Sequence, residues 1–184
     1  KGIKTTKIED DAIKEFIVTN THDVLYLFTS KGRLYTMDCF EVPEASRGSK
    51  GRYLANFLQL TEGESVTNLI PITVDVIENS KDYTVAIVSK KGKIKRMPFE
   101  FIKKIRTSGL RITTLQEKDD VISVKLLAQD KKLFITSFAG KAVLFDPEKV
   151  RCMGRTATGV RAMNLSGSEI VSVNVVNDSD NVLF

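Results

Sequence analysis

Positively charged side chains carry the most evident chemistry of this sequence, because they recur in three dense segments. Residues 30–52 hold five basic and three acidic side chains, residues 90–111 hold nine and one, and residues 131–161 hold seven and two. The stretches between these segments reverse the balance, so the net charge of +5 understates the local charge. Segments this basic indicate an anionic partner and could hold a row of phosphate groups.

The other reactive side chains do not form a recognisable catalytic pattern. The sequence has no phosphate-binding loop of the Gly-x-x-x-x-Gly-Lys-Ser/Thr form, no Gly-x-Ser-x-Gly and no Cys-x-x-Cys. The carboxylate clusters at residues 9–11 and 117–120 are expected in exposed turns, and His22, the only histidine, is expected in a turn as well. Tyr26, Tyr35, Tyr53 and Tyr83 lack a motif that would make one of them a nucleophile. We therefore predict no catalytic residue, no metal site and no cofactor in this chain.

Length and composition fit a globular protein without disulfides. The chain has 184 residues, of which 42% are hydrophobic and 28% charged. Cys39 and Cys152 are its two cysteines, which favours a reducing compartment, and no apolar run approaches the ~20 residues that cross a bilayer. We expect a cytoplasmic protein with no membrane partner. The chain begins Lys-Gly and stops in a strand-like stretch, so we expect it to be a piece of a longer polypeptide.

A hairpin pattern recurs three times along the chain. Residues 24–35, 85–95 and 133–144 each combine a β-branched and aromatic run, a turn with Gly and a basic residue that opens a second run. Glycine supplies the positive φ that tight hairpin turns require. The sequence therefore predicts three equivalent β-hairpins.

An anchor follows each hairpin at nearly constant distance. The anchors are residues 47–51, 106–109 and 155–159, each opening with Arg and ending with Gly, 19, 17 and 19 residues after the hairpin glycine. Four short strands for each repeat of about 50 residues are typical of a propeller blade, whereas a β-sandwich with accidentally similar hairpins is the alternative. We predict an all-β fold of four-stranded antiparallel blades. Its approximate repeat units are 1–51, 52–109, 110–159 and an incomplete 160–184.

Rotation from blade to blade would bring equivalent basic residues onto one rim. The resulting curved belt suits the phosphate backbone of a DNA duplex, bound without reading the bases, whereas a merely solvated basic face is the alternative. Tyr35, Tyr53, Phe99 and Phe101 lie in strand-like patterns and are expected in the core, which favours duplex over single-stranded DNA. The predicted DNA-binding residues are Lys31, Arg33, Arg47, Lys50, Arg52, Lys91, Lys93, Lys95, Arg96, Lys103, Lys104, Arg106, Arg111, Lys141, Lys149, Arg151, Arg155 and Arg161.

Several ordered motifs resemble one protein family from end to end. Residues 20–35, 42–52, 60–64, 94–97 and 151–161 closely resemble the C-terminal domain of the bacterial DNA gyrase A subunit, in a family that includes the topoisomerase IV A subunit. The stretches 47–52 and 153–160 look more like gyrase. The resemblance implies a β-pinwheel, in which propeller-like blades exchange a strand with their neighbours, and this chain accounts for a partial arc of about four blades.

The resemblance also implies a role. Domains of this family wrap a DNA duplex around a positive outer rim and present it to the catalytic core as the transported segment for negative supercoiling. ATP, Mg²⁺ and the cleavage tyrosine then belong to other regions or to the gyrase B subunit, in a bacterial, nucleoid-associated enzyme. The family's Gln-Arg-Arg-Gly-Gly-Lys-Gly box has only Lys1-Gly2 as a possible remnant here, so DNA binding is expected to survive better than full wrapping. The rival hypotheses are the corresponding domain of a topoisomerase IV A subunit, or else a propeller-like scaffold for protein interactions.

Overall fold

The structure, a computed structural model, describes residues 15–46, 49, 51–106 and 108–180. Strands dominate this part of the chain, and its one α-helix, α1, spans only Val74–Glu78. Short 3₁₀ turns occupy Cys39–Glu41, Leu54–Asn56, Ser80–Asp82, Phe99–Phe101 and Pro147–Lys149. The strands are β1 (Val24–Thr29), β2 (Arg33–Asp38), β3 (Val66–Ile72), β4 (Thr84–Ser89), β5 (Lys93–Pro98), β6 (Leu110–Arg111), β7 (Val121–Leu127), β8 (Lys132–Ser137), β9 (Ala142–Phe145), β10 (Val160–Arg161) and β11 (Ile170–Val176).

These strands form three open antiparallel sheets. Sheet 1 has the order β3-β1-β2-β6, sheet 2 the order β7-β4-β5-β10, and sheet 3 the order β11-β8-β9. Sheets 1 and 2 have the predicted four strands, and sheet 3 has three within the described residues. The all-β prediction with antiparallel, propeller-like blades is confirmed, and residues 1–14 of the first predicted repeat unit lie outside the described residues.

Each hairpin turn is closed by a glycine and a hydroxyl side chain. The turn glycines Gly32, Gly92 and Gly140 have φ of +72°, +80° and +75°. The hydroxyl that ends the first strand accepts the N–H of the basic residue after the glycine, with Thr29 serving Arg33 at 3.1 Å, Ser89 serving Lys93 at 3.2 Å and Ser137 serving Lys141 at 3.1 Å. Because the hydroxyl accepts the N–H of the residue that follows the glycine, each turn has a local hydrogen bond of its own.

The fourth strand of each complete sheet comes from the chain that follows the next hairpin. Strand β6 pairs with β2, placing Leu110 opposite Leu34, and β10 pairs with β5, placing Val160 opposite Ile94. The anchor glycines make this possible, since a Cβ on Gly109 would lie 2.6 Å from the Tyr35 ring and a Cβ on Gly159 would collide with the Ile94 carbonyl oxygen. The anchors therefore end where the chain must approach a neighbouring blade most closely.

The sheets stack face to face, and successive side chains along a strand point alternately to the two neighbouring sheets. Val85 and Ile87 of β4 pack against Tyr26 and Phe28 of sheet 1. The intervening Ala86 and Val88 pack toward sheet 3 with Leu133 and Ile135. Strand β4 is buried on both faces, which explains its continuous apolar sequence.

The blades converge at one edge and spread at the other. Strand β3 contacts β7, and β7 contacts β11, so these strands lie on the inner side of the arc. Strands β2 and β5, with the exchanged β6 and β10, lie at the opposite edge of their sheets. The exchanged strands and the chain that enters them therefore form the outer rim.

The expectation that four aromatic residues lie in the core is half right. Tyr35 and Phe99 are fully buried, whereas Tyr53 is 83% exposed and Phe101 is 48% exposed. Tyr53 immediately precedes a 3₁₀ turn and belongs to no strand, and Phe99 and Phe101 share another such turn. Successive side chains of a 3₁₀ turn are rotated by about a third of a circle, so the two phenylalanines cannot share the side they would share in a strand.

Candidate nucleic-acid interface

Four lysines at the hairpin turns, Lys31, Lys90, Lys91 and Lys141, form one group of cations, called the hairpin cations below. Lys31 pairs with Asp120 at 2.7 Å and Lys90 pairs with Glu169 at 3.0 Å, each joining one blade to the next. The ammonium of Lys91 donates to the Glu117 carbonyl at 2.8 Å, and that of Lys141 donates to the Ser166 hydroxyl at 3.2 Å. All four are exposed, yet each ammonium is already engaged within the protein.

Buried carboxylates brace the same turns. Glu64 accepts hydrogen bonds from Thr29 Oγ1 at 2.5 Å and from the N–H and hydroxyl of Thr61 at 2.9 Å. Burial opposes its ionisation, but these hydrogen bonds and the nearby Arg33 outweigh it and hold the pKa of Glu64 below its usual value. Asp119 occupies the equivalent place in the next blade, accepting from Ser89 Oγ at 2.6 Å and from the N–H of Lys91 at 2.9 Å.

The carboxylate cluster at 117–120 is therefore only partly as predicted. Asp119 is buried in the hairpin turn it stabilises, while Glu117 is exposed. The first cluster, residues 9–11, lies outside the described residues. His22 is exposed in a turn, as predicted, and its N–H donates to Asn20 Oδ1 at 3.1 Å.

Two predicted rim residues, Arg33 and Lys95, each donate to backbone carbonyls of two other segments, and we call them the strut cations. The guanidinium of Arg33 donates to the carbonyls of Gln59 at 3.3 Å and Ser108 at 3.1 Å and lies 5.0 Å from the centre of the Tyr35 ring. Its Nη1 also lies 3.5 Å from the Glu64 carboxylate. These contacts occupy a side chain that the sequence placed on a free rim.

Lys95 departs further than Arg33 from the predicted position on an exposed rim. It is 1% exposed, and its ammonium donates to the carbonyls of Ile112 and Arg155, both at 2.6 Å. Burial lowers the pKa of Lys95 to about 8. An ammonium held in this way is not presented at the surface, so the expectation of an exposed rim position is wrong for this residue.

Arg96 and Lys103 are half-buried and partly engaged. Arg96 Nε donates to the Val150 carbonyl at 2.9 Å, and Lys103 Nζ donates to Ser80 Oγ at 3.3 Å. The hydroxyl of Tyr26 donates to the carbonyls of Ile102 and Lys103 at 3.2 and 3.1 Å, so the chain ahead of the second anchor is fixed to sheet 1. These side chains hold the rim in shape.

Most of the remaining predicted cations that the structure describes are exposed and have no such partner. Seven of them lie in or beside the second and third anchors and are called the anchor cations below. None makes an ion pair or side-chain hydrogen bond to a described residue, and they are Lys104, Arg106, Arg111, Lys149, Arg151, Arg155 and Arg161. Arg52, beside the first anchor, is also exposed, and Lys93 is half-buried. Arg47 and Lys50 lie outside the described residues.

Strand exchange brings like charges together at equivalent places on two blades. Arg33 is directly opposite Arg111 in sheet 1, and Lys93 is directly opposite Arg161 in sheet 2. Cross-strand pairs of like charge destabilise a sheet, and within the protein only the charge of Arg33 is partly offset, by the Glu64 carboxylate, among the described residues. Beside the first pair is an open cleft of about 730 Å³ whose lining includes Lys31, Lys118 and Asp119. The geometry therefore suits a polyanion that meets equivalent cations on successive blades.

Comparison with known proteins agrees with this architecture. The family model of the DNA gyrase C-terminal domain, beta-propeller, matches residues 23–73, 83–128 and 131–177, and each segment contains one of the three hairpins. The chain belongs to the DNA gyrase C-terminal domain family. The resemblance stated from the motifs is thereby confirmed.

Individual relatives are much longer than this chain. It is 37% identical over 185 residues to the DNA gyrase A subunit of Klebsiella oxytoca, covering 100% of this chain and 21% of the relative. It is 37% identical over 172 residues to the DNA gyrase A subunit of Salmonella typhimurium, covering 93% of this chain and 19% of the relative. The chain thus spans about a fifth of the length of these curated relatives.

Solved structures share the fold. The C-terminal domain of DNA topoisomerase IV matches 88% of this chain and 50% of its own, with a TM-score of 0.76 and 30% identity. The DNA gyrase A C-terminal domain matches 86% of this chain and 49% of its own, with a TM-score of 0.68 and 26% identity. The blade architecture of the chain is therefore that of its family.

Groups that could hold a metal ion are not found among the described residues of the chain. No three His, Cys, Asp or Glu side chains cluster there, and Cys39 and Cys152 are free thiols. No helix in the described part of the chain is long and apolar enough to cross a membrane. That the domain lacks a catalytic site and a cofactor stays a prediction.

Sequence reasoning missed the side chains that organise the rim from inside. Tyr35 and Lys95 both lie three residues after a turn glycine, and Val143 has that place in the third hairpin. An apolar or aromatic residue in two copies predicts an inward-facing position in all three. Comparing the copies position by position could therefore have identified Lys95 as a buried residue.

Proposed function

We propose that this domain binds duplex DNA along its outer rim and bends it, as a non-catalytic module of a type IIA topoisomerase of the DNA gyrase kind. The carrying observation is the row of exposed anchor cations without internal partners on successive blades. Family membership and this row support the same conclusion independently. Wrapped DNA would then be presented as the transported segment during negative supercoiling.

Binding of this kind is electrostatic and independent of base sequence. Arginine and lysine side chains that neutralise phosphates release condensed counterions, so affinity falls steeply as salt rises. Contacts to phosphates fix the position of the duplex without reading bases. Because bending a stiff duplex over a short site costs about 1–6 kcal/mol, contacts on several blades are needed to offset it.

The partners and setting follow from the same proposal. The remainder of the gyrase A subunit, together with the gyrase B subunit, would carry DNA cleavage and ATP hydrolysis, with Mg²⁺, in the bacterial cytoplasm at the nucleoid. The residues proposed to touch DNA are the anchor cations, together with Arg52, Lys93 and, outside the described residues, Arg47 and Lys50. The hairpin cations and the half-buried Arg96 and Lys103 are proposed as weaker contributors at most, since their charged groups are already engaged.

The corresponding domain of a topoisomerase IV A subunit is the second candidate. It is favoured by one observation, the structural match of TM-score 0.76 to the C-terminal domain of DNA topoisomerase IV. Adding the domain to a gyrase core that lacks its own C-terminal domain separates the two candidates. Recovery of negative supercoiling supports a gyrase role, whereas relaxation without supercoiling supports topoisomerase IV.

Titration against linear duplexes of unrelated sequence tests DNA binding itself. The proposal predicts equal affinities for all sequences and a linear fall of log K with log salt, with a slope of about 0.9 for each phosphate neutralised. A protein-interaction scaffold predicts no salt-steep duplex binding. Weak binding that does not change with salt would therefore contradict the proposal and favour the scaffold.

A further inference from the structure

Both strut cations bridge the same two kinds of segment. Each donates to one carbonyl in the anchor that runs to the edge of its own sheet, Ser108 for Arg33 and Arg155 for Lys95. Each also donates to one carbonyl in the segment that follows the preceding anchor, Gln59 for Arg33 and Ile112 for Lys95. Two different residues, at different strand positions, thus make equivalent links on neighbouring blades.

The link at Lys95 is extended by two threonines. Three consecutive carbonyls of the third anchor, those of Arg155, Thr156 and Ala157, accept hydrogen bonds from Lys95 Nζ, Thr114 Oγ1 and Thr113 Oγ1 at 2.6, 2.7 and 3.2 Å. Thr113 and Thr114 follow directly from the segment that contains β6 at the edge of sheet 1. The third anchor is therefore fixed at three successive points to the chain leaving the neighbouring blade.

A lysine is a costly choice for this place, which bears on what it does. Placing an ammonium away from water is unfavourable unless polar groups replace its hydration, and among the described residues Lys95 makes no ion pair with a carboxylate. Two carbonyl oxygens at 2.6 Å replace part of that hydration. A long side chain with several donors at its tip can reach both carbonyls at once, which an apolar side chain cannot do.

We propose that Lys95 is a positioning residue that sets the separation between successive anchors and thereby the curvature of the DNA-binding rim. Arg33 has the same task one blade earlier. The proposal rests on the proposed function, because curvature of the rim matters only if a duplex follows it. Lys95 does not contact phosphate in this account; the arginines on either side of the link, Arg111 and Arg155, do.

Substitution of Lys95 by Met tests the proposal in the full 184-residue chain, since Met keeps the length and removes the donors. Two DNA probes separate positioning from contact: a short duplex that reaches one anchor and a longer, end-labelled duplex that spans both. We expect Lys95→Met to keep affinity for the short duplex within about twofold and to keep the salt slope. Energy transfer between the ends of the long duplex is expected to show that about half or more of the bending is lost.

Lys125→Met is the matched control. Lys125 lies in β7 of the same sheet, is half-buried and makes no side-chain hydrogen bond or ion pair with a described residue. It should leave both affinity and bending unchanged. Equal bending by Lys95→Met and wild type would overturn the proposal. A salt slope reduced by about one phosphate, with weaker binding to the short duplex, would instead make Lys95 a direct DNA contact and overturn it too.

A milder variant guards against loss of folding. Thr114→Val removes one of the three hydrogen bonds to the third anchor, the exposed one to the Thr156 carbonyl. It should lower DNA bending by less than Lys95→Met does and leave the salt slope unchanged. If Lys95→Met and Thr114→Val both fold and both bend DNA as the wild type does, the proposal is contradicted.

Spin labels provide a readout that does not depend on DNA. One label on the exposed Cys152 and one at Ser108→Cys, in a Cys39→Ala background, report the separation of the anchors. We expect a broader or shifted distribution of label-to-label distances in Lys95→Met and Thr114→Val. A distribution identical to that of the wild type would overturn the proposal. If wild-type protein failed to bind or bend DNA, the proposed function would fall while this distance still tested the strut.

Discussion

The hairpin cations and the anchor cations carry the same charge but stand in different surroundings. Each hairpin lysine is held by an acid, a carbonyl or a hydroxyl of a neighbouring loop, whereas the anchor cations have no such partner among the described residues. Two of the hairpin lysines, Lys31 and Lys90, join one blade to the next, whereas the anchor group leaves its charge available to a ligand. Density of positive charge in the sequence therefore does not by itself locate a binding surface.

The largest expected effect is on DNA affinity. Replacing Arg106, Arg111, Arg155 and Arg161 by Ala removes four unpartnered cations from two anchors. At 0.1 M salt each lost phosphate contact should weaken duplex binding by about tenfold, so we expect a combined loss of about 10³–10⁴-fold and a salt slope lower by about 3–4. Fluorescence anisotropy with labelled duplex over a range of salt measures both quantities.

The hairpin cations supply the matched control. Replacing Lys31, Lys90, Lys91 and Lys141 by Ala removes the same formal charge from groups already engaged. We expect no more than about a tenfold loss of affinity, through the weaker general field, and a small loss of stability from the two exposed ion pairs. Equal losses in the two quadruple variants would show that internal partners do not distinguish the two groups.

A second effect concerns the glycines of the two regions. Gly159→Ala places a Cβ against the Ile94 carbonyl oxygen at a φ of +97°, so it should detach the exchanged strand β10 and lower the free energy of unfolding by more than about 2 kcal/mol. Gly140→Ala at the third hairpin has φ +75° with nothing within 4 Å, and should cost only about 1 kcal/mol. Urea unfolding of both variants gives the ranking, and a larger loss at Gly140 would contradict the account of strand exchange.

A third effect is the response of the anchor strut to alkaline pH. Folding lowers the pKa of Lys95 from its ordinary 10.5 to about 8, so between these values the unfolded chain binds more protons than the folded one. Stability should therefore rise as pH increases from about 8 to 10.5, with a contribution of up to about 1.4 kcal/mol for each pH unit. Urea midpoints across this range should show the rise in wild type and lose that contribution in Lys95→Met.

The smallest effect is the response of the hairpin region to acid. Because folding lowers the pKa of Glu64, its ionised form contributes stability that is fully present above the ordinary value of 4.5 and is lost as pH falls below it. Glu64→Gln should be less stable than wild type at neutral pH and should show a shallower decline in acid. Thermal unfolding from pH 6 to pH 3 measures the difference, and parallel curves for the two proteins would refute this assignment.

Local patterns were sufficient to predict the blades. The turn glycines, the hydroxyl at each turn and the β-branched runs act within a few residues, so the hairpins β1–β2, β4–β5 and β8–β9 follow from sequence. The anchor glycines were also identified from spacing, although their purpose required the structure. Gly109 and Gly159 are needed because a strand from another repeat approaches within contact distance there.

Contacts between repeats could not be predicted from local sequence patterns. Lys95 has the charge of a rim residue, and its burial depends on carbonyls 17 and 60 residues away in the chain. Asp119 lies in an acidic stretch that is typical of an exposed turn. Its burial depends on the Ser89 hydroxyl, 30 residues away in the chain. For Tyr53 the error is the opposite one, because it was predicted to be buried and is exposed. A strand-like pattern implies burial only where a strand forms. The two groups of cations are likewise distinguished by long-range partners and not by residue type.

Lysine-selective acetylation of the folded protein, with and without duplex DNA and read by mass spectrometry, tests the central claim most directly. Lys104 and Lys149 are exposed anchor lysines without partners among the described residues, and Lys31 and Lys91 are exposed hairpin lysines with partners. The account predicts that saturating duplex protects Lys104 and Lys149 strongly and leaves the acetylation of Lys31 and Lys91 nearly unchanged. Protection of the hairpin lysines with unprotected Lys104 and Lys149 would contradict it.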